Sequence, residues 1–361
     1  MSYIWPGAEE PRTGACSDGE WDHGGPLAIT ALRDVIRYAL GDVQDFEGQR
    51  IADRVQGLAP SHVGVWAFSH PGIAAMNVLT QHGDALAEVA WFVGRENPTQ
   101  DQHCAVELGH FSETGQRIVN PLYDFARDYG PDLYDLDLST ARWAADYVEA
   151  GHEDEPGRAY FDLDLDGFDE DTDHVLSFRV PTMWDKRYLS RSLTHALRDN
   201  GLTDDQWPAD LATPEEADAA WAYRNSIDRF SMLEGSDLRT MIVFAERQHV
   251  QPLADAPSVH SAYDGFSGAG LWVRINPDLA YAEWAVGGAY PGYPDYDAGT
   301  EPTDWSTAGD TWGYPPAPGN AGADLGQAIG LAAVAEMADR TEFERWDANL
   351  EEVLIPEMPS P

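Results

Sequence analysis

In this chain of 361 residues, 63 acidic side chains face 22 basic ones, a formal net charge of −41 at neutral pH. Such an excess repels itself in any compact state and opposes folding. Salt removes the difficulty, because at about 1 M the Debye length falls to roughly 3 Å and exposed carboxylates stop pushing one another apart. The chain is therefore expected to fold as a soluble globule in near-molar salt. Disorder is the other outcome that a large net charge allows. Against it, 43% of the residues are hydrophobic and 11% aromatic, enough to build a core.

Lys186 is the only lysine, and arginine carries nearly all the positive charge. This composition resembles that of haloarchaeal proteins, which implies a high-salt organism, with the protein either in its cytoplasm or in a virion or surface assembly. The charge argues against nucleic acid as a partner, since phosphate neutralisation needs clusters of Lys and Arg. The opening MSYIWPGAEEPR has neither the basic n-region nor the apolar run of a signal peptide. No stretch approaches the length of about 18 apolar residues that a membrane span needs. Cys16 and Cys104 are too few for a disulfide framework and read as free thiols.

Strand-like and helix-like patterns alternate in the first part of the chain, the mark of an α/β fold with mostly parallel strands. Residues 3–6 read as a short strand and a glycine-rich loop follows. Pro26 then opens an amphipathic helix with Leu27, Leu32, Val35, Ile36 and Leu40 on one face. A short helix near 49–55 leads to VGVWAF at 63–68, an apolar run of buried-strand type, then to a helix at 72–82 and a strand at 88–94. From about 97 to 236 the alternation stops, which reads as an insertion. It carries helices at 186–199 and from Thr213, where Pro214 and Glu216 complete a capping box. Strands at 238–246 and 271–275, a helix near 258–266 and a last helix at 324–339 restore the pattern.

The strand ending at Ser69 turns sharply into a helix, the geometry of a nucleophile elbow, with small residues needed two positions to either side. Those positions hold Ala67 and Pro71, with Gly72 next. The stretch VGVWAFSHPG, with the helix before it and the strand EVAWFVGREN after it, resembles the α/β-hydrolase superfamily, in particular its esterase- and peptidase-like members. The resemblance implies a mostly parallel hydrolase-like sheet, with residues 1–96 and 237–361 as the two halves of the core and 97–236 as an inserted cap. It makes Ser69 the nucleophile and places the His70 N–H, with one from Gly7 or Ala8, around an oxyanion. The acid would be Glu246 or Asp255. The base belongs after the strand ending at Ile275, yet His260 is the last histidine in the chain. His249 is the irregular substitute, with His70 and His23 as further choices.

DLDLDGFDEDTD, residues 162–173, sets acids at loop positions one, three and five, glycine at six and an acid at twelve, the spacing of a calcium loop. Its ligands would be Asp162, Asp164, Asp166, the Phe168 carbonyl and Asp173. In so acidic a chain the same spacing also arises by accident, so calcium and a solvated acidic loop stay open. The aromatic run from 283 to 316 fits either a peptide or carbohydrate cleft or a cover over the sheet edge.

Two functions follow. One is a catalytically impaired hydrolase-fold protein with a structural or binding role, engaging protein partners or copies of itself. The other is a serine hydrolase acting through Ser69 on a small ester or peptide. For either, lowering potassium chloride below about 1 M is expected to drop the thermal midpoint steeply as screening is lost. Circular dichroism melts over a salt series give the answer; a flat midpoint would remove the halophilic reading.

Overall fold

The computed structural model describes residues 3–11, 13–20, 22, 24–58, 60–69, 71–97, 99, 109–111, 117–122, 137–148, 153, 156–176, 182–183, 186–244, 257–287, 321–346, 350 and 352–354. The chain divides into two compact units, one from Met1–Thr99, Ser226–Gln248 and Ala254–Pro361, the other from Gln100–Asn225 and His249–Leu253. The long segment of the second unit ends at Asn225, where the sequence reading carried the insertion to 236. Its ends explain how the first unit accommodates it: Ser226 donates both its N–H and its hydroxyl to the Thr99 carbonyl, at 3.3 and 2.8 Å. The first unit thus releases and regains the chain at one point around the 100–225 segment, so the sheet between is undisturbed.

In chain order the principal elements of the first unit before the insertion are α1 (Pro26–Ala39), β1 (Gly64–Phe68), α2 (Pro71–Gln81) and β2 (Trp91–Arg95). The inserted unit supplies β3 (Ala141–Ala144), β4 (Arg158–Phe161), β5 (His174–Val175), α3 (Arg191–Asp199) and α4 (Pro214–Arg224). The first unit resumes with β6 (Arg239–Val243), α5 (Pro257–Gly268), β7 (Trp272–Ile275), α6 (Leu279–Val286) and α7 (Ala321–Phe343). No described helix is long and apolar enough to cross a membrane.

The first unit is built on a parallel sheet in the order β7-β6-β2-β1. Side chains alternate across it. Trp91, Val93, Met241 and Val243 meet Ala282 of α6 and Ile329, Ala333 and Met337 of α7 on one face. Phe92 points the other way and meets Phe266 of α5, with ring centroids 6.1 Å apart. The α/β expectation with mostly parallel strands holds for this unit.

Local differences from the sequence reading have physical causes. Residues 3–5 form no strand; Tyr3 instead stacks edge-on against Trp5 at 4.7 Å and its hydroxyl donates to the Ala28 carbonyl at 3.4 Å. Burial, then the charge of Asp22, raises the Tyr3 pKa. Asp22 in turn caps α1, accepting from Leu27 N–H at 2.5 Å and Ala28 N–H at 3.0 Å, two donors a helix start leaves unpaired. Leu27 is exposed, and α1 buries Ala28, Ile29, Leu32 and Ile36 instead. β1 is an edge strand among the described residues, which is why Trp66 and Phe68 remain 49% and 38% exposed despite its apolar sequence.

In the inserted unit, antiparallel β3, β4 and β5 pack Ala141, Phe161 and Leu176 against Leu193 and Leu197 of α3. The helix expected from 186 begins only at Arg191. Ser190 caps it, accepting from Leu193 N–H at 3.1 Å, while Lys186–Arg187 pair as a strand with Thr182–Met183. The capping box of α4 stands as read, with Thr213 and Glu216 bonded reciprocally. The lone lysine completes it, Lys186 Nζ lying 2.7 Å from both Glu216 oxygens.

The first unit closes on a buried ionic network. Asp278 accepts from Arg274 Nη2 at 2.5 Å, Arg340 Nη2 at 2.8 Å and Leu350 N–H at 2.7 Å. Glu336 accepts from Arg340 Nε at 2.7 Å and Asp278 N–H at 2.6 Å. Burial, then Asp278, pushes the Glu336 carboxyl from 4.5 up to about 7 against the pull of both guanidinium groups. The unfolded chain releases this proton near 4.5 and the folded chain near 7, so stability falls as pH rises between the two and levels off above. Glu336→Gln is expected to flatten that slope in chemical denaturation across this pH range.

Candidate functional site

The carboxyl ends of the strands in an open parallel sheet are where α/β proteins gather ligands. Here three of the four strands end in a non-glycine residue with left-handed backbone: Ser69 after β1 at φ 59°, Glu96 after β2 at 49° and Asn276 after β7 at 56°. Each donates its N–H to the neighbouring strand, Ser69 to Arg95 at 2.9 Å, Glu96 to Val243 at 2.9 Å and Asn276 to Ile242 at 2.8 Å. The ladder therefore runs one residue past each strand before the chain bends away. Left-handed backbone is tolerated by asparagine and costs about 1 kcal/mol or more for serine and glutamate, so the surrounding bonds must hold it.

Asn97 provides that hold at Ser69. Its Nδ2 donates to the Ser69 carbonyl at 2.7 Å and to the Ala67 carbonyl at 3.4 Å, and Gly72 N–H donates to the same Ser69 oxygen at 2.8 Å. The amide fits because two glycines surround it. A Cβ on Gly72 would lie 2.0 Å from Asn97 Cγ, and one on Gly94 would lie 2.4 Å from its Oδ1. The small residues this turn demands are thus 72 and 94. Positions 67 and 71 tolerate Ala67, which is buried, and Pro71, which opens α2 where its missing N–H is not needed.

Beside the turn, Met76, Phe92, Ile242, Val259 and Phe266 line a cavity of about 10 Å³, closed by Glu96 and Asn97. That is room for one water and no substrate. Asn97 Oδ1 is buried without a partner, an acceptor for such a water. Glu96 is 5% exposed, with Arg95 Nη2 3.7 Å from its Oε1. Arg95 also lies over the Phe68 ring at 4.4 Å.

Of the residues assigned to catalysis, Ser69 is at the strand-to-helix turn as expected. His70, Glu246, His249, Asp255 and His23 lie outside the described residues. The N–H groups of Gly7 and Ala8 are engaged within their own loop, by Asp18 at 3.3 Å and Trp5 at 3.0 Å, so neither is free for an oxyanion. His260 sits on α5, its Nε2 3.2 Å from Asp264 one turn on. Sequence reasoning missed Glu96 and Asn97; the polar run REN directly after an apolar strand was their signal.

The acidic loop forms a second grouping, in the inserted unit. One carboxylate oxygen from each of Asp162, Asp164 and Asp166 lies within 4.8 Å of the others. A hydrogen bond to the Asp164 carboxylate, then that carboxylate's charge, raises the Asp166 pKa. Asp173 is engaged elsewhere, accepting from Leu163 N–H at 3.0 Å and Asp169 N–H at 2.8 Å. Phe168 packs its ring edge-on against Tyr147 and Tyr160.

No protein-family model, curated protein or solved structure matches this chain.

Gly72→Ala is expected to destabilise the protein by about 1–3 kcal/mol through overpacking against Asn97. In an Asn97→Gly background the same change is expected to cost less, a coupling that a double-mutant cycle by denaturant unfolding measures.

Proposed function

We propose that the chain is a catalytically impaired relative of the α/β-hydrolases with a structural or binding role in high salt. The observation that carries this reading is the exit of β7, where the resemblance calls for a histidine base. That exit is built as a structural joint. Asn276, 1% exposed, closes back on β6 by accepting from Phe244 N–H at 3.0 Å, and Asp278 is sunk in the network with Arg274 and Arg340. No histidine follows His260 anywhere in the chain. A serine hydroxyl without a base is a weak nucleophile.

The hydrolase part of the reading draws support from a serine ending a parallel strand, an insertion between the second and third strands, and helices on both faces of the sheet. The impaired part draws further support from the occupied Gly7 and Ala8 donors and from the small cavity beside the turn. On this account the left-handed turn survives because its carbonyl anchors Asn97 and the start of α2. A protein partner or a second copy of the chain is the binding role that the fold would serve.

The serine hydrolase alternative is favoured by the left-handed Ser69 alone. A fluorophosphonate probe in molar salt separates the two. Folded protein is expected to stay unlabelled; labelling that vanishes in Ser69→Ala would establish the hydrolase instead.

A further inference from the structure

We infer that the loop leaving β4 binds calcium, with Asp162 as its buried anchor and Asp164 and Asp166 as ligands on the solvent side. This stands apart from the hydrolase reading and concerns the inserted unit alone.

Asp162 follows β4 directly, and its N–H donates to the Thr140 carbonyl at 3.0 Å, which fixes the backbone at the end of the sheet. The residue is 6% exposed, and its Oδ1 is enclosed without a hydrogen-bond partner. Among the described residues no lysine, arginine or histidine forms an ion pair with it. A carboxylate removed from water needs a cation or donors to replace the lost hydration. A merely solvated acidic loop accounts for Asp164 and Asp166, which are exposed, and leaves Asp162 unexplained.

The spacing suits a metal. Two oxygens bound to one calcium at about 2.4 Å stand no more than about 5 Å apart, and the three carboxylates converge within 4.8 Å. The donors are all hard oxygens, with neither histidine nor cysteine in the group, which selects against zinc and copper. Calcium accepts six to eight such ligands in irregular geometry, whereas magnesium demands a near-regular octahedron. Asp173 serves the same site as a brace. Bonded to Leu163 and Asp169, it shapes the loop through the backbone, so the carboxylates are gathered before the ion arrives. The ion would neutralise the acidic Asp162–Asp166 corner of the β4–β5 hairpin.

Terbium(III) titration of the full chain in molar potassium chloride tests this, with emission excited through the protein's tyrosines. Emission is expected to saturate as a single site and to be displaced by calcium. Asp162→Asn and Asp164→Asn are each expected to weaken calcium displacement at least about ten-fold as ligand charge is lost. Asp171→Asn, in the same hairpin and outside the group, is expected to leave it unchanged. Unsaturating emission that is equal in all variants would overturn the site in favour of diffuse counter-ions. Displacement by magnesium at concentrations where calcium fails would overturn the assignment of the metal. Should Asp162→Asn fail to fold, Asp164→Asn at its exposed position decides.

Discussion

A carboxylate can leave water only if a cation or a set of donors meets it inside. In this chain the donors are scarce, with 22 basic residues against 63 acidic ones, and the structure uses many of them internally. Arg158, Arg187, Arg224, Arg274 and Arg340 are all buried. Arg274 and Arg340 meet Asp278 and Glu336, so two cations balance two anions where β7, α6 and α7 come together. Arg187 reaches the half-exposed Asp210 at 2.6 Å and the Gly157 carbonyl at 2.9 Å. At the surface a few arginines pair with acids, Arg54 with Asp45 and Glu47 and Arg198 with Glu215, and molar salt can screen the exposed acids that remain. Interior pairing and exterior repulsion are thus two sides of one distribution. Asp162 is buried with no cation paired to it among the described residues.

The same economy marks the strand ends. Ser69, Glu96 and Asn276 continue the ladder in left-handed backbone, and each is held by bonds that reach across the sheet. At Ser69 the holding group is Asn97, admitted by Gly72 and Gly94; at Asn276 it is the residue's own side chain on Phe244 N–H. A catalytic elbow and a structural joint therefore share one backbone geometry. What separates them is the side chains supplied around it. Among the described residues, an amide, a buried glutamate and a water-sized cavity lie beside Ser69.

Much of this was legible in the sequence. Apolar periodicity located α1, α2, β2, β6, β7 and α5 within a few residues, and Thr213, Pro214 and Glu216 announced α4 correctly. The acidic triplet was visible from its spacing alone. Misreadings arose where local pattern and tertiary role diverged. VGVWAF is apolar enough for a central strand yet forms an edge among the described residues, because periodicity does not say how many neighbours a strand has. The run from Lys186 suits a helix, yet pairing with Thr182–Met183 and the cap at Ser190 delay it. In the sequence Gly72 is only the small residue after Pro71, and the position of Asn97 shows what it makes room for.

By itself the sequence determined the charge regime, the α/β alternation, the sharp turn at Ser69 and the lack of any histidine beyond His260, since each is a property of composition or of neighbouring residues. Tertiary structure alone decided which acids are surface and which are interior. Asp278 finds the Glu336 carboxylate 58 positions away and the Leu350 N–H 72 positions away. Asp162 and Asp164 stand two apart in one alternating Asp-Leu run, yet one is enclosed and the other open to solvent. An aspartate reads the same in the chain wherever it lies, and only packing fixes whether water or the protein must answer its charge.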